Sequence, residues 1–292
     1  MGFPPGQRDP GGQYYDGFIP EIIVVGIGWA GEHPKYDSLR TRDLTPTRAA
    51  NVPHSGNGPN FLAFLKKEVI PLIESKYRTA NNERTLIGSS MGGLFTLYAL
   101  FHETSLFSRY VLTSPAIGWD NSSIYAAEST YAANNTQLPV KLFMGIGGYE
   151  GRSDFDKFVS HLKSRNYKGL NMSTMVFEGM GHSGSKPEGF ARGLQAVFER
   201  PTIALDSRIL DQYAGVYEPM PGLRVRIFGE NGKLATLIPD NGKIIFDALS
   251  ESDFHVSGQY LFLHFKRDAS GNVTGFQMEM FEGGGFVKKE KN

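Results

Sequence analysis

Up to about residue 200 the apolar positions alternate between short continuous runs and stretches with a helical repeat. Ile22-Ile23-Val24-Val25-Gly26 is a β-branched run of the kind buried on both faces of a parallel sheet. Thr85–Ile87, Tyr110–Thr113, Lys141–Gly145 and Thr174–Phe177 predict four more strands. Between and after them, apolar spacings of three and four predict helices over residues 60–77, 92–102, 154–165 and 188–198, the first kinked at Pro71. Alternating strands and helices imply a parallel sheet covered on both sides. Residues 1–20, rich in Gly, Pro and Tyr and without periodicity, read as an irregular arm.

Past Arg200-Pro201 the period shortens to two. Leu223, Val225 and Ile227 alternate with Arg224, Arg226 and Phe228, and Leu261, Leu263 and Phe265 with Phe262, His264 and Lys266. Asn231-Gly232, Asn241-Gly242 and Ser270-Gly271 supply residues that take the positive φ of tight hairpin turns. The expected organisation is an arm over 1–20, an α/β domain over 21–200 and a small antiparallel β domain or barrel over 207–292.

Composition narrows the function classes. Thirty basic and thirty acidic side chains cancel, so no overall field recruits nucleic acid or an anionic membrane. The absence of cysteine removes thiol nucleophiles, disulfides and Cys-ligated metal centres, and no residue pattern calls for a metal or a cofactor. The longest apolar runs are strand-length, far short of the roughly 20 residues of a membrane-spanning helix. Met1 to Gly6 has no charged segment followed by an apolar one, so it does not read as a signal peptide; the compartment stays open between periplasm and cytoplasm.

The strongest local signal is Gly88-Ser89-Ser90-Met91-Gly92, a G-x-S-x-G set between the Thr85 strand and an apolar helix. In a nucleophile elbow the serine occupies a strained turn, and glycines two residues to either side keep side chains out of its way. Ser90 is the candidate nucleophile, and the Met91 backbone N–H the candidate oxyanion donor at the start of the helix. A serine hydroxyl needs a base, which follows in the order Ser, acid, His. Of seven histidines, His182 alone follows the last parallel strand, in the loop Gly179-Met180-Gly181-His182-Ser183-Gly184. The acid should leave the preceding strand, where Glu150 is the first carboxylate and Asp154 the next; its work is to fix the imidazole tautomer and stabilise the imidazolium.

With these residues in hand, Phe18 to Phe198 resembles the esterase D-like putative esterase family, in the branch of siderophore esterases and related carboxylesterases. Arg40-Thr41-Arg42-Asp43-Leu44-Thr45-Pro46 looks like that branch's R-x-x-D-x-T-P, and it is joined by Gly88–Gly93, Ser114-Pro115-Ala116-Ile117-Gly118-Trp119 and Gly181-His182-Ser183. The resemblance implies an α/β-hydrolase fold and a serine carboxylesterase that forms an acyl-enzyme on Ser90 with His182 as general base, acting on a small-molecule ester. A siderophore lactone, an aryl or feruloyl ester and a short acyl ester all fit that chemistry. The alternative is a catalytically impaired hydrolase fold used as a binding module. The same carry-over puts Arg40 near the substrate, against an internal ion pair with Asp43, and leaves Trp119 and Trp29 between a pocket wall and plain burial.

In the α/β-hydrolase order the Ile22 run stands fourth of eight strands, and the first three have no counterpart here. Five strands without a gap require the Ile22 strand to pair directly with the Thr85 strand. The Gly28-Trp29 turn would then lie beside Ser90 as the second oxyanion donor, with the arm or a second copy of the chain, in a homo-oligomer, covering the sheet edge.

Overall fold

The computed structural model describes residues 20, 22–80, 82–238, 242–256, 259, 261–280 and 284–290. The chain divides into two compact units, one over Ile23–Val197 and the other including Phe198–Asn292. The arm over 1–20 lies almost wholly outside the described residues.

The first unit is built on a four-stranded sheet in the order β1 (Thr85–Ser89), β2 (Arg109–Thr113), β3 (Lys141–Gly147) and β4 (Asn171–Phe177), every pair parallel. β2 and β3 are almost fully buried, matching their continuous apolar sequences. The helices are α1 (Tyr36–Leu44), α2 (Gly58–Phe64), α3 (Ile70–Lys76), α4 (Met91–His102), a short turn α5 (Trp119–Ser122), α6 (Ile124–Ala132), α7 (Ser153–Arg165) and α8 (Ser185–Phe198). Leu94, Leu97 and Leu100 of α4 are fully buried against Leu112, Leu142 and Met144 of the sheet and form the centre of the core.

Three elements differ from the sequence expectation. Residues 22–26 form no strand and pair with no described strand; Val24 is 82% exposed, and Ile23, Val25 and Ile27 are exposed beside it. β1 pairs only with β2 among the described strands, so direct pairing between the Ile22 run and the Thr85 strand is overturned. β-branched residues favour an extended backbone, yet a strand exists only where a partner's edge completes its hydrogen bonds. Near Pro71 there is no break: α2 passes through a π-helical turn, Leu65–Val69, into α3, with Pro71 in the first turn of that helix. The wider turn accommodates the missing proline N–H. α1 escaped the periodicity search because it has almost no apolar face and is fixed instead by polar contacts of its buried Asp43.

The second unit opens with α9 (Ser207–Tyr213), capped by the Asp206 side chain. Eight antiparallel strands follow: β5 (Gly215–Met220), β6 (Leu223–Glu230), β7 (Lys233–Ile238), β8 (Gly242–Ala248), β9 (Asp253–His255), β10 (Leu261–Arg267), β11 (Val273–Met280) and β12 (Phe286–Lys288). Glu290 N–H donates to Val216 C=O at 2.9 Å and Tyr217 bridges to Lys289, so the first and last strands meet and the sheet curls into a small barrel. Asn231 and Gly232, at φ 50° and 76°, make the two-residue turn between β6 and β7. The Asn241 turn falls largely outside the described residues. Tyr213, Tyr217, Phe254, Phe265 and Phe276 fill the interior.

In the first unit one polar cluster clamps α6 to α7. Glu128 is fully buried and accepts from Arg165 Nε and Nη2 at 2.8 Å each, from Tyr167 Oη at 2.5 Å, and from His161 Nε2 at 2.7 Å. Burial works to raise its pKa, but the bonds from Arg165, Tyr167 and His161 outweigh it and hold the carboxyl below its ordinary 4.5. The unfolded chain therefore binds a proton that the folded chain resists. The clamp acts in full above pH 4.5 and is lost as pH falls through the folded value. Glu128→Gln should lower stability at pH 7 by about 2 kcal/mol, short of the figure for fully buried pairs because water reaches the outer faces of His161 and Arg165. Urea unfolding between pH 7 and 3 checks this: the gap between wild type and variant should close below pH 4.5.

Candidate active site

The site grows from the carboxyl ends of the parallel strands. The first residue past β1, Ser90, donates its N–H to Thr113 C=O at 3.0 Å; Ser114, the first past β2, donates to Gly145 C=O at 2.7 Å; Gly148, past β3, donates to Phe177 C=O at 2.9 Å. Each bond extends the ladder one step beyond its strand. There the backbone turns sharply: Ser90 has φ 60° and ψ −118°, and Ser114 has φ 46°. For a residue with a Cβ such angles cost about 1–3 kcal/mol, and they persist only where the surroundings impose them. At Ser90 the imposing contacts are its N–H bond to Thr113 and its C=O, which accepts from Leu94 N–H of α4 and Ala116 N–H, both at 3.0 Å.

Gly88 and Gly92 contribute differently to this elbow. A Cβ on Gly88 would overlap the Gly92 carbonyl and sit 2.6 Å from Thr96 Oγ1, whereas a Cβ on Gly92 would meet nothing within 4 Å. Only the first is demanded by close approach.

On the next two loops Glu150 Oε2 accepts from His182 Nδ1 at 2.6 Å. Its other oxygen, Oε1, accepts from Ser114 Oγ at 2.6 Å and from Gly147 N–H at 2.9 Å. Burial pushes the Glu150 pKa up, and is outweighed by the hydrogen bonds of Ser114, His182 and Gly147, so the carboxyl lies below its usual value and is ionised near neutrality. The His182 side chain remains 47% exposed. Among the described residues no hydrogen bond joins Ser90 Oγ to the imidazole; such bonds commonly tighten only once a substrate is bound.

Of the sequence-selected residues, Glu150 and His182 are in direct contact, and Asp154 is exposed. His161 binds Glu128, His102 bonds Tyr98 C=O on its own helix, and His264 lies between Asp253 and Glu279. Met91 opens α4, where its sulfur meets Thr41 Oγ1 of α1 at 3.9 Å. The Trp29 indole donates to Asp43 at 2.8 Å, and Asp43 also takes two hydrogen bonds from Arg42. The internal partner of Asp43 is thus Arg42, not Arg40, although helical spacing sets Arg40 and Asp43 on one face. Arg40 is half-buried and makes no hydrogen bond or ion pair with a described residue. Trp119 packs against the core and donates to Thr47 C=O at 3.2 Å. Sequence reasoning missed Ser114 and Ser185, both buried, although Ser114 directly follows a strand as Ser90 does.

The family model described as Putative esterase matches residues 11–159, just over half of the chain. The ferri-bacillibactin esterase BesA of Bacillus subtilis is 28% identical over 197 residues, covering 61% of this chain and 68% of its own. The siderophore triacetylfusarinine C esterase of Aspergillus fumigatus is 30% identical over 151 residues, covering 49% of this chain and 51% of its own. Among solved structures, the BES protein from Bacillus cereus superposes with a TM-score of 0.53 at 26% identity, over 58% of this chain and 67% of that one. An IroE-like serine hydrolase from Shewanella oneidensis gives 0.50 at 26% identity, over 60% and 61%. The fold is that of the α/β-hydrolases, with an antiparallel unit in addition.

The contrast between the two elbow glycines is testable. Gly88→Ala should cost about 1–3 kcal/mol as overpacking, measured by urea unfolding, or leave no folded protein. Gly92→Ala should be neutral or stabilising by up to about 1 kcal/mol, since alanine is the better helix residue and its methyl enters open space.

Proposed function

The chain belongs to the Putative esterase family and is a carboxylic ester hydrolase, and on that premise we propose that it cleaves esters through a Ser90 acyl-enzyme with His182 as general base and Glu150 as its acid. The observation that carries this reading is the backbone of Ser90, bent to φ 60° between β1 and the first turn of α4. A strained, non-glycine residue at a strand-to-helix turn is the geometry that presents a hydroxyl for attack.

In the proposed reaction Ser90 Oγ attacks the ester carbonyl carbon as its proton passes to His182 Nε2. The carbonyl oxygen becomes an oxyanion facing the Met91 N–H at the positive end of α4. Collapse breaks the bond to the alcohol oxygen, which leaves with the proton from His182. Water then repeats the cycle on the acyl-enzyme, giving the acid and free Ser90. Throughout, His182 Nδ1–H is held by the ionised Glu150, whose charge favours the imidazolium. We assign the second oxyanion donor to the Trp29 backbone, since the indole bond to Asp43 ties this residue to α1, whose Thr41 reaches Met91.

The substrate class we propose is a siderophore ester, supported by the names of both curated relatives. Arg40, adjacent to Thr41 and without a partner among the described residues, suits the anionic face of such a ligand. Trp119 stands at the end of the loop whose Ala116 N–H binds Ser90 C=O, and is the candidate wall.

Ser90→Ala should abolish hydrolysis of a chromogenic acetate or butyrate ester and labelling by an organophosphonate; retained labelling would refute the nucleophile. Turnover should fall further in His182→Ala than in Glu150→Gln, because the orienting acid contributes less than the base. Steady-state kinetics on both variants decides between these roles.

A further inference from the structure

We infer that Ser114 is a positioning residue, which with Ser185 behind it locks the acid against the base; the inference rests on the Ser90, His182 and Glu150 reading above. Its basis is a closed ring of contacts. Ser114 Oγ donates to Glu150 Oε1 at 2.6 Å and lies 3.1 Å from Ser185 Oγ, which lies 3.2 Å from the His182 carbonyl. Glu150 Oε2 and His182 Nδ1, 2.6 Å apart, close the circuit. The ring thus joins the end of β2, the loop after β3, the loop after β4 and the first residue of α8.

Counting protons orders the ring. Two hydroxyls supply two protons for three oxygen contacts. The shortest contact ends on a carboxylate, and charge-assisted bonds are the stronger, so the Ser114 proton goes to Glu150. The Ser185 proton is then shared between Ser114 Oγ and the His182 carbonyl, linking the imidazole's own backbone to the serine that holds its acid. Ser114 adopts φ 46° and is 5% exposed, and Ser185 is fully buried. A buried hydroxyl on a left-handed backbone, bonded to one oxygen of a part-buried carboxylate, fixes that carboxylate's rotation and keeps Oε2 for the imidazole.

The test uses Ser114→Gly, because glycine adopts φ 46° without strain and the variant deletes only the hydroxymethyl group. Expected is a fall in kcat of about ten-fold, the scale of one hydrogen bond to a charged group, with KM changed by less than about two-fold. In a Glu150→Gln background the same substitution should have no further effect, as two parts of one device are not additive. An unchanged kcat in Ser114→Gly, or an equal loss with and without Glu150, overturns the inference. If Ser114→Gly does not fold, Ser185→Ala takes its place: a kcat loss that vanishes with Glu150→Gln supports the ring, and an additive loss or none refutes it. Turnover retained by Ser90→Ala would instead fail the underlying reading, whereas a dead Ser90→Ala beside an unimpaired Ser114→Gly fails this inference alone.

Discussion

Backbone N–H groups just past β1, β2 and β3 each reach a carbonyl near the end of the neighbouring strand, at Thr113, Gly145 and Phe177. This staircase fixes where each loop begins, and the rest of the first unit is arranged around it. Because a parallel ladder continues one residue beyond the strand, the chain is anchored by its N–H at the point where φ reverses. Ser90 and Ser114 both sit at such a point, and both take positive φ. The strain is offset by bonds that α4 and the adjoining loops complete, so the elbow is a property of the assembled sheet rather than of five residues in sequence.

Local sequence conveys chemistry and period, but not pairing. The strands from Thr85 onward, the helix after Ser90 and the order Ser, Glu, His could be read because each combines an apolar run with a punctuated loop. The Ile22 run has the same composition and forms no strand, since β-propensity describes a side chain's fit to a sheet and says nothing of whether an edge is there to receive it. α1 was hidden for the opposite reason: its stability comes from Asp43 and its bonds to Arg42 and Trp29, which are specific contacts without a repeat.

The candidate site was legible to a similar depth. Glu150 follows from its place after β3, yet nothing local separates it from Asp154 except the turn at Gly147, whose N–H helps to orient the carboxylate. Ser114 opens a motif that assigns it no role, and Ser185 carries none; serines are common, and the meaning of these two appears only when three loops converge. Arg40 and Arg42 illustrate the same limit, since helical spacing favours the residue three positions before Asp43, yet it is the adjacent Arg42 that pairs with it.

That convergence has a bearing on how the molecule comes into being. Residues 90, 114, 150 and 182 leave four successive strands, so the centre does not exist in any fragment of the first unit that lacks β4. In chain order the elbow comes first and the imidazole last, with β2 and β3 between them. The proposed centre is thereby withheld from every partly assembled form and is complete only once the whole parallel sheet has closed ranks.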